Sequence, residues 1–164
     1  MQPENRTKLF RLLGVVLPLL LLDQSTKALV VRMIRPYEVI PVIPGFFNLT
    51  FVCNTGGAFG LAANSAPWVR TALFLGLSMA AACLVLYLFC KTPARERWFS
   101  YALCLVLAGA AGNLVDRFRL GEVVDFLQFH VRTLYWPSFN VADSAVSVGV
   151  GILVALFVLK KDPF

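Results

Sequence analysis

The sequence predicts an all-α integral membrane protein of four transmembrane helices, with a small outward-facing β-rich platform and a short interfacial helix. Three observations predict it. The 164 residues are 59% hydrophobic and only 15% charged, with a mean hydropathy of +0.75, whereas soluble domains run at roughly 45–50% apolar and about 25% charged. The apolar residues gather into four blocks, each near the roughly 20 helical residues that cross the hydrocarbon core. Basic residues crowd some connections and are sparse in others. The chain reads as one domain, 1–164, with spans at about 12–31, 67–89, 99–115 and 142–159.

The first block, Leu12 to Val31, follows Arg6, Lys8 and Arg11 and so has the flank of a secretory signal. The residues that follow its apolar run from Leu12 to Leu22, "DQSTKALVV", offer no small-x-small cleavage site and return to apolar character. An uncleaved first span is the better reading. Lys91, Arg95 and Arg97 join the second and third spans, and Lys160 and Lys161 follow the fourth. All these basic residues fall on one side, which the positive-inside rule makes cytoplasmic, together with both termini. The segments 32–66 and 116–141 are longer and carry only Arg32, Arg35, Arg117, Arg119 and Arg132. They face outward. The net charge of +6 follows from this topology and from attraction to anionic lipid, and nucleic acid drops out as a partner.

The outward segments are not ordinary polar loops. In 47–52, Phe47, Leu49 and Phe51 alternate with Asn48, Thr50 and Val52, as on a half-buried strand. An open sheet edge cannot sit in hydrocarbon with its backbone unsatisfied, so the strand belongs at headgroup level. Phe126, Phe129, His130, Tyr135, Trp136 and Phe139 suit an interfacial aromatic belt. Phe126 to Leu134 reads as the short amphipathic helix, with Asp125 as its N-cap. The single histidine, His130, stands between Phe129 and Val131, where packing is its expected role. Of the four cysteines, Cys83, Cys90 and Cys104 lie within spans and only Cys53 lies outside. None has zinc-ligand spacing, and neither a metal nor another cofactor is expected.

The acids carry the chemistry. There are nine, and an acid at the centre of a span costs roughly 2.5–3.5 kcal/mol, so each one there needs a partner or a purpose. Asp23 has Lys27 at i,i+4, a structural ion pair on one helix face. Ser25 and Lys27, at i,i+2, point apart and make no serine/lysine catalytic pair. Asp116, beside Arg117 and near Asn113, reads as the terminus of the third span. Asp125 is set among Val123, Val124 and Phe126, and desolvation there raises a carboxyl pKa. Asp143 lies with Asn140 at the start of the fourth span, where both are good helix caps. Asp125 and Asp143 fall on the same outward side at similar depth. Two close carboxylates tend to share one proton, so that one can activate water while the other donates to a carbonyl oxygen.

Four blocks, "DQSTK" (Asp23–Lys27), "NTGGAFG" (Asn54–Gly60), "GNLVDRFRLGEVVDF" (Gly112–Phe126) and "FNVADSAV" (Phe139–Val146), are similar in content and order to those of the bacterial lipoprotein signal peptidases, also called signal peptidase II. The likeness spans nearly the whole chain. Val146 stands where that family often has isoleucine. The resemblance implies an intramembrane aspartic endopeptidase of the bacterial inner membrane with Asp125 and Asp143 as its catalytic pair. It implies that Asn54, Gly56, Asn113, Arg117 and Asn140 line or support the site, with Asp23 and Lys27 as structural support. The implied substrates are prolipoproteins bearing a diacylglyceryl group on the lipobox cysteine, cut just before that cysteine near the outer (periplasmic) face. Membrane lipid and globomycin-like inhibitors are the other implied partners, and a monomer is the expected form. The chain has neither the Asp-Thr-Gly triplet of soluble aspartic proteases nor the GxGD pattern of presenilin-like enzymes.

Rival classes make different demands. A proton-coupled transporter places acids in its bundle but usually shows internal repeats, and the two halves here show none. A carboxylate cation site would use Asp125, Asp143 and asparagine carbonyls as oxygen ligands. A non-catalytic scaffold or lipid-binding subunit would leave the acid pair without a purpose.

Overall fold

A computed structural model of the chain describes residues 3–56 and 66–159. Lys160 and Lys161, expected to anchor the fourth span, and the glycine-rich residues 57–60 lie outside them. Among these residues are four helices, α1 (Pro3–Met33), α2 (Pro67–Lys91), α3 (Arg97–Leu120) and α4 (Val141–Leu159), with strands β1 (Val39–Ile43) and β2 (Phe47–Asn54) between α1 and α2 and strands β3 (Val123–Val131) and β4 (Leu134–Tyr135) between α3 and α4. All four helices are long and apolar enough to cross a membrane. Their outer surfaces carry Leu21, Leu22, Leu77, Leu84, Phe157 and Val158 exposed, the pattern of a bundle that faces lipid.

The helices pack through two kinds of contact. At one end, Phe89, Leu103 and Cys104 form a core with Leu12, Val15, Val16, Val85 and Leu153 around it. There Lys8 Nζ donates to the Cys90 carbonyl (2.8 Å) and Arg11 Nη1 to the Ala94 carbonyl (2.8 Å). The start of α1 is thereby tied to the α2–α3 connection, which gathers the basic residues at one end. Towards the other end, α3 and α4 meet through small residues, as helices in lipid do. Ala142 and Ala145 are buried there, and a Cβ on Gly112 would stand 3.1 Å from the Ala142 Cβ.

β1, β2, β3 and β4 form one antiparallel sheet in that order. It docks on the end of α1, where Val30 and Ile34 join Phe51, Val124 and Phe126 in a second core. The face of β2 turned inward is its polar one: Asn48 and Thr50 are buried while Phe47 and Leu49 are half-exposed. An irregularity in register between Leu49 and Val52 turns Phe51 inward as well, because an extra residue in one strand flips the side chains that follow.

Two sequence expectations are corrected. The short interfacial helix over Phe126–Leu134 is instead strand β3. Its backbone pairs with β2 from Phe47↔Phe129 to Asn54↔Val123 on one edge and exchanges hydrogen bonds with Phe139 on the other. Local pattern left the apolar run "VVDFLQFHV" ambiguous, and two partner edges decided it. Asp125 therefore caps no helix. Asp116 does not end the third helix either, for α3 continues to Leu120 and stops at Gly121. That glycine adopts φ 79° and donates its N–H to the Arg117 carbonyl, a left-handed cap that favours glycine.

Candidate active site

The site forms where the end of α3, the start of α4 and the middle of β3 meet. Asn140 is the N-cap of α4. Its Oδ1 accepts the Asp143 N–H at 2.9 Å, and its own N–H donates back to Asp143 Oδ2 at 3.2 Å. This reciprocal capping box shows that the capping reading of Asp143 was half of the answer: Asn140 is the cap and Asp143 its partner three residues on. Asp23, from α1, takes the N–H of Ala142 at 2.9 Å, so two orphan donors of α4's first turn are satisfied by carboxamide and carboxylate oxygens.

Because Asn140 Oδ1 is occupied by a backbone donor, its amide group faces Asp125, 2.7 Å from Oδ1. One asparagine thus holds both acids. Two further asparagines likewise have their oxygen occupied and turn their amide to an acid. Asn54 Oδ1 accepts the Gly56 N–H (2.9 Å) and its amide donates to Asp125 Oδ2 (2.9 Å). Asn113 Oδ1 accepts Lys27 Nζ (3.1 Å) and the Asn140 amide (3.2 Å), and its own amide donates to Asp143 Oδ1 (2.7 Å). Gly56 serves the first of these turns with φ 87°, and a Cβ there would run into the Phe74 ring of α2 at 2.5 Å.

Asp125 is only 2% exposed. Burial pushes its carboxyl up to about 6 and the charge of Asp143 pushes the same way, while hydrogen bonds from Asn54 and Asn140 pull against them. Cys53, opposite Val124 in the sheet, is no competing nucleophile, because burial and Glu122 push its thiol up to about 12. Arg117 is half-buried on α3, donates to the Asn113 carbonyl at 3.3 Å and lies within electrostatic reach of Asp143 and Asp125. Among the described residues, neither Asp125 nor Asp143 makes an ion pair, and no group of three or more His, Cys, Asp or Glu side chains gathers as a ligand set.

Behind the pair lies a second group of acids. Lys27 Nζ bridges Asp23 (2.9 Å) and Asp116 (2.7 Å), all three buried. The Gln24 amide reaches Asp23, Asp116 and the Gly112 carbonyl, and Asp116 also accepts the Val124 N–H. The i,i+4 spacing announced Asp23 and Lys27. Asp116 and Gln24 were missed, and the available signal for Asp116 was its position three residues after Asn113, on the same helix face. His130 stands apart, stacked on Tyr135 at 4.8 Å with 14° between the rings.

The family model described as signal peptidase (SPase) II matches residues 15–159 of the chain. A lipoprotein signal peptidase of Desulforapulum autotrophicum is 47% identical over 159 residues, which cover 97% of this chain and 98% of that protein. One of Geobacter metallireducens is 41% identical over 93% of each. Among solved structures, a bacterial membrane enzyme determined at 1.9 Å resolution superposes with a TM-score of 0.80 at 29% identity, covering 92% of this chain and 94% of the other.

Proposed function

We infer that this chain, which belongs to the signal peptidase II family, is a multi-pass membrane aspartic endopeptidase that removes the signal peptide from prolipoproteins, with Asp125 and Asp143 as its catalytic pair. The observation that carries the assignment is the single Asn140 side chain shared by two carboxylates that, among the described residues, make no ion pair. Amide donors orient a carboxylate without neutralising it, so the pair is free to hold one proton between its members.

The mechanism follows from the two environments. Asp143 lies in the first turn of α4, where the helix terminus favours negative charge. It is the general base that draws a proton from the attacking water. Asp125, whose burial raises its carboxyl to about 6, is the member that carries the pair's proton and donates it to the oxygen of the scissile carbonyl as the tetrahedral intermediate forms. As the C–N bond breaks, the proton taken by Asp143 passes to the leaving amine and Asp125 regains one from the collapsing gem-diol. Asn54, Asn113 and Asn140 fix the two carboxyl planes, Gly56 sets the turn that aims Asn54, and Arg117 supports Asn113. Asp23 and Lys27 hold the frame.

A signal peptide is itself an apolar helix and enters from the bilayer, and the acyl chains of a diacylglyceryl-modified cysteine stay in the adjacent leaflet. The cut then falls just before that cysteine, near the outer face of the bacterial inner membrane, with both termini of the enzyme cytoplasmic. The gathering of Lys8, Arg11, Lys91 and Arg97 at the far end supports this orientation. The apolar outer side of the sheet, with Trp136 and Tyr135 exposed, suits the headgroup level. Cyclic peptides of the globomycin type would compete for the same site, and a monomer contains every residue named.

Purified Asp125→Asn and Asp143→Asn, each shown to be folded by thermal denaturation, should cleave a diacylglyceryl-modified prolipoprotein at least about 10³-fold more slowly than wild type. A gel shift of the product checks it, and near-normal turnover by either variant sinks the dyad. Equal turnover of unmodified substrate would make the chain a general peptidase.

A further inference from the structure

At the end of the bundle opposite the acid pair, α1 and α3 enclose a cavity of about 510 Å³ lined by Phe10, Arg11, Gly14, Val15, Arg97 and Tyr101. Its lining is of two kinds. Arg11 and Arg97 supply guanidinium groups, and Phe10, Val15 and Tyr101 supply apolar surface. Arg11 is held in place by the Ala94 carbonyl and by the Tyr101 ring, whose centroid lies 5.8 Å away. Among the described residues, Arg97 has no ion-pair partner.

Two further features ask for an anion here. The first turn of α3 contains no acidic residue, its N-cap Glu96 makes no side-chain capping bond, and Arg97 opens the helix. A cation at a helix N-terminus opposes the dipole, and a bound anion relieves both. Gly14 weakens the middle of a helix, yet a Cβ there would meet nothing within 4 Å. Packing within the chain does not require this exposed glycine; its lack of a side chain keeps that side of the cavity open.

We propose that this cavity binds the headgroup of an anionic phospholipid, with the phosphate between Arg11 and Arg97 and acyl chains along Phe10, Val15 and Tyr101. Basic pockets between membrane helices suit such headgroups, and the apolar lining distinguishes a lipid from free phosphate. The proposal needs only that the helices span a membrane, and its test is independent of the peptidase reading.

The test is native mass spectrometry of the full chain in non-ionic detergent with phosphatidylglycerol, phosphatidylcholine or inorganic phosphate. Phosphatidylglycerol should be retained in preference to phosphatidylcholine. Arg97→Gln, at an exposed site, should weaken that retention about fivefold, and Gly14→Leu, which adds a side chain to the lining at a position where a Cβ meets nothing, should weaken it as well. Equal retention of the two lipids, or unchanged retention by both variants, overturns the proposal. Loss in Arg97→Gln alone assigns the effect to surface charge and overturns the cavity, and displacement by an equal concentration of inorganic phosphate overturns the lipid.

Discussion

Two pairs of carboxylates lie side by side in this molecule, and among the described residues only one of them is ion-paired. Asp23 and Asp116 flank Lys27 at 2.9 and 2.7 Å. Asp125 and Asp143 are held instead by the amides of Asn54, Asn113 and Asn140. A lysine fixes the charge of its partners and makes them a frame. Amides fix position and leave the charge free to change, which is what acid–base chemistry needs. Asn113 belongs to both groups, since its oxygen accepts a hydrogen bond from Lys27 and its nitrogen donates one to Asp143. The frame thereby orients the working pair.

The largest difference between the groups should appear on removing a charge. Lys27→Met leaves two buried carboxylates unpaired and should destabilise the protein by about 3–5 kcal/mol, read by thermal denaturation in detergent. Asp125→Asn should not destabilise it at neutral pH. A loss of similar size in both variants would erase the distinction drawn here.

The next effect is a slope against pH. Asp125 is raised to about 6 in the folded protein from an ordinary value near 3.9, so the folded state binds its proton more tightly than the unfolded state. The benefit of that protonation is full below about pH 4 and is lost as pH rises through about 6, a change of about 3 kcal/mol. Wild type should therefore lose stability over that window and Asp125→Asn should not. The rate should decline over the same range as the pair gives up its shared proton. Asn54→Ala removes a hydrogen bond that lowers the value, and should move the decline to higher pH. A decline that stayed in place would separate Asn54 from the acid.

The smallest effects test what lies outside both groups. Activity should survive EDTA, and a loss reversed by Mg²⁺ or Ca²⁺ would restore the cation-site rival. His130→Phe, which keeps the stack on Tyr135, should change stability by no more than about 0.5 kcal/mol and leave cleavage unchanged.

The sequence by itself determined the four helices, because apolar runs of spanning length have no other stable form in lipid. It also determined the Asp23–Lys27 pair, because i,i+4 spacing is a property of one helix, and the capping chemistry at Asn140 and Asp143, because a cap is local. Only the tertiary structure decided the rest. β3 is a strand because β2 and Phe139 offered edges on both sides, information held by residues far away in the chain. For the same reason the polar side of β2 turned inward, where Asn48 meets Gln128 at 3.1 Å. Asp116 became a partner of Lys27 because α3 runs one turn further than its apolar stretch and packs on α1. Asp125 and Asp143 share Asn140 because a strand and a helix start converge there. Spacing along a chain fixes neighbours within one element, whereas meetings between elements depend on how the elements pack.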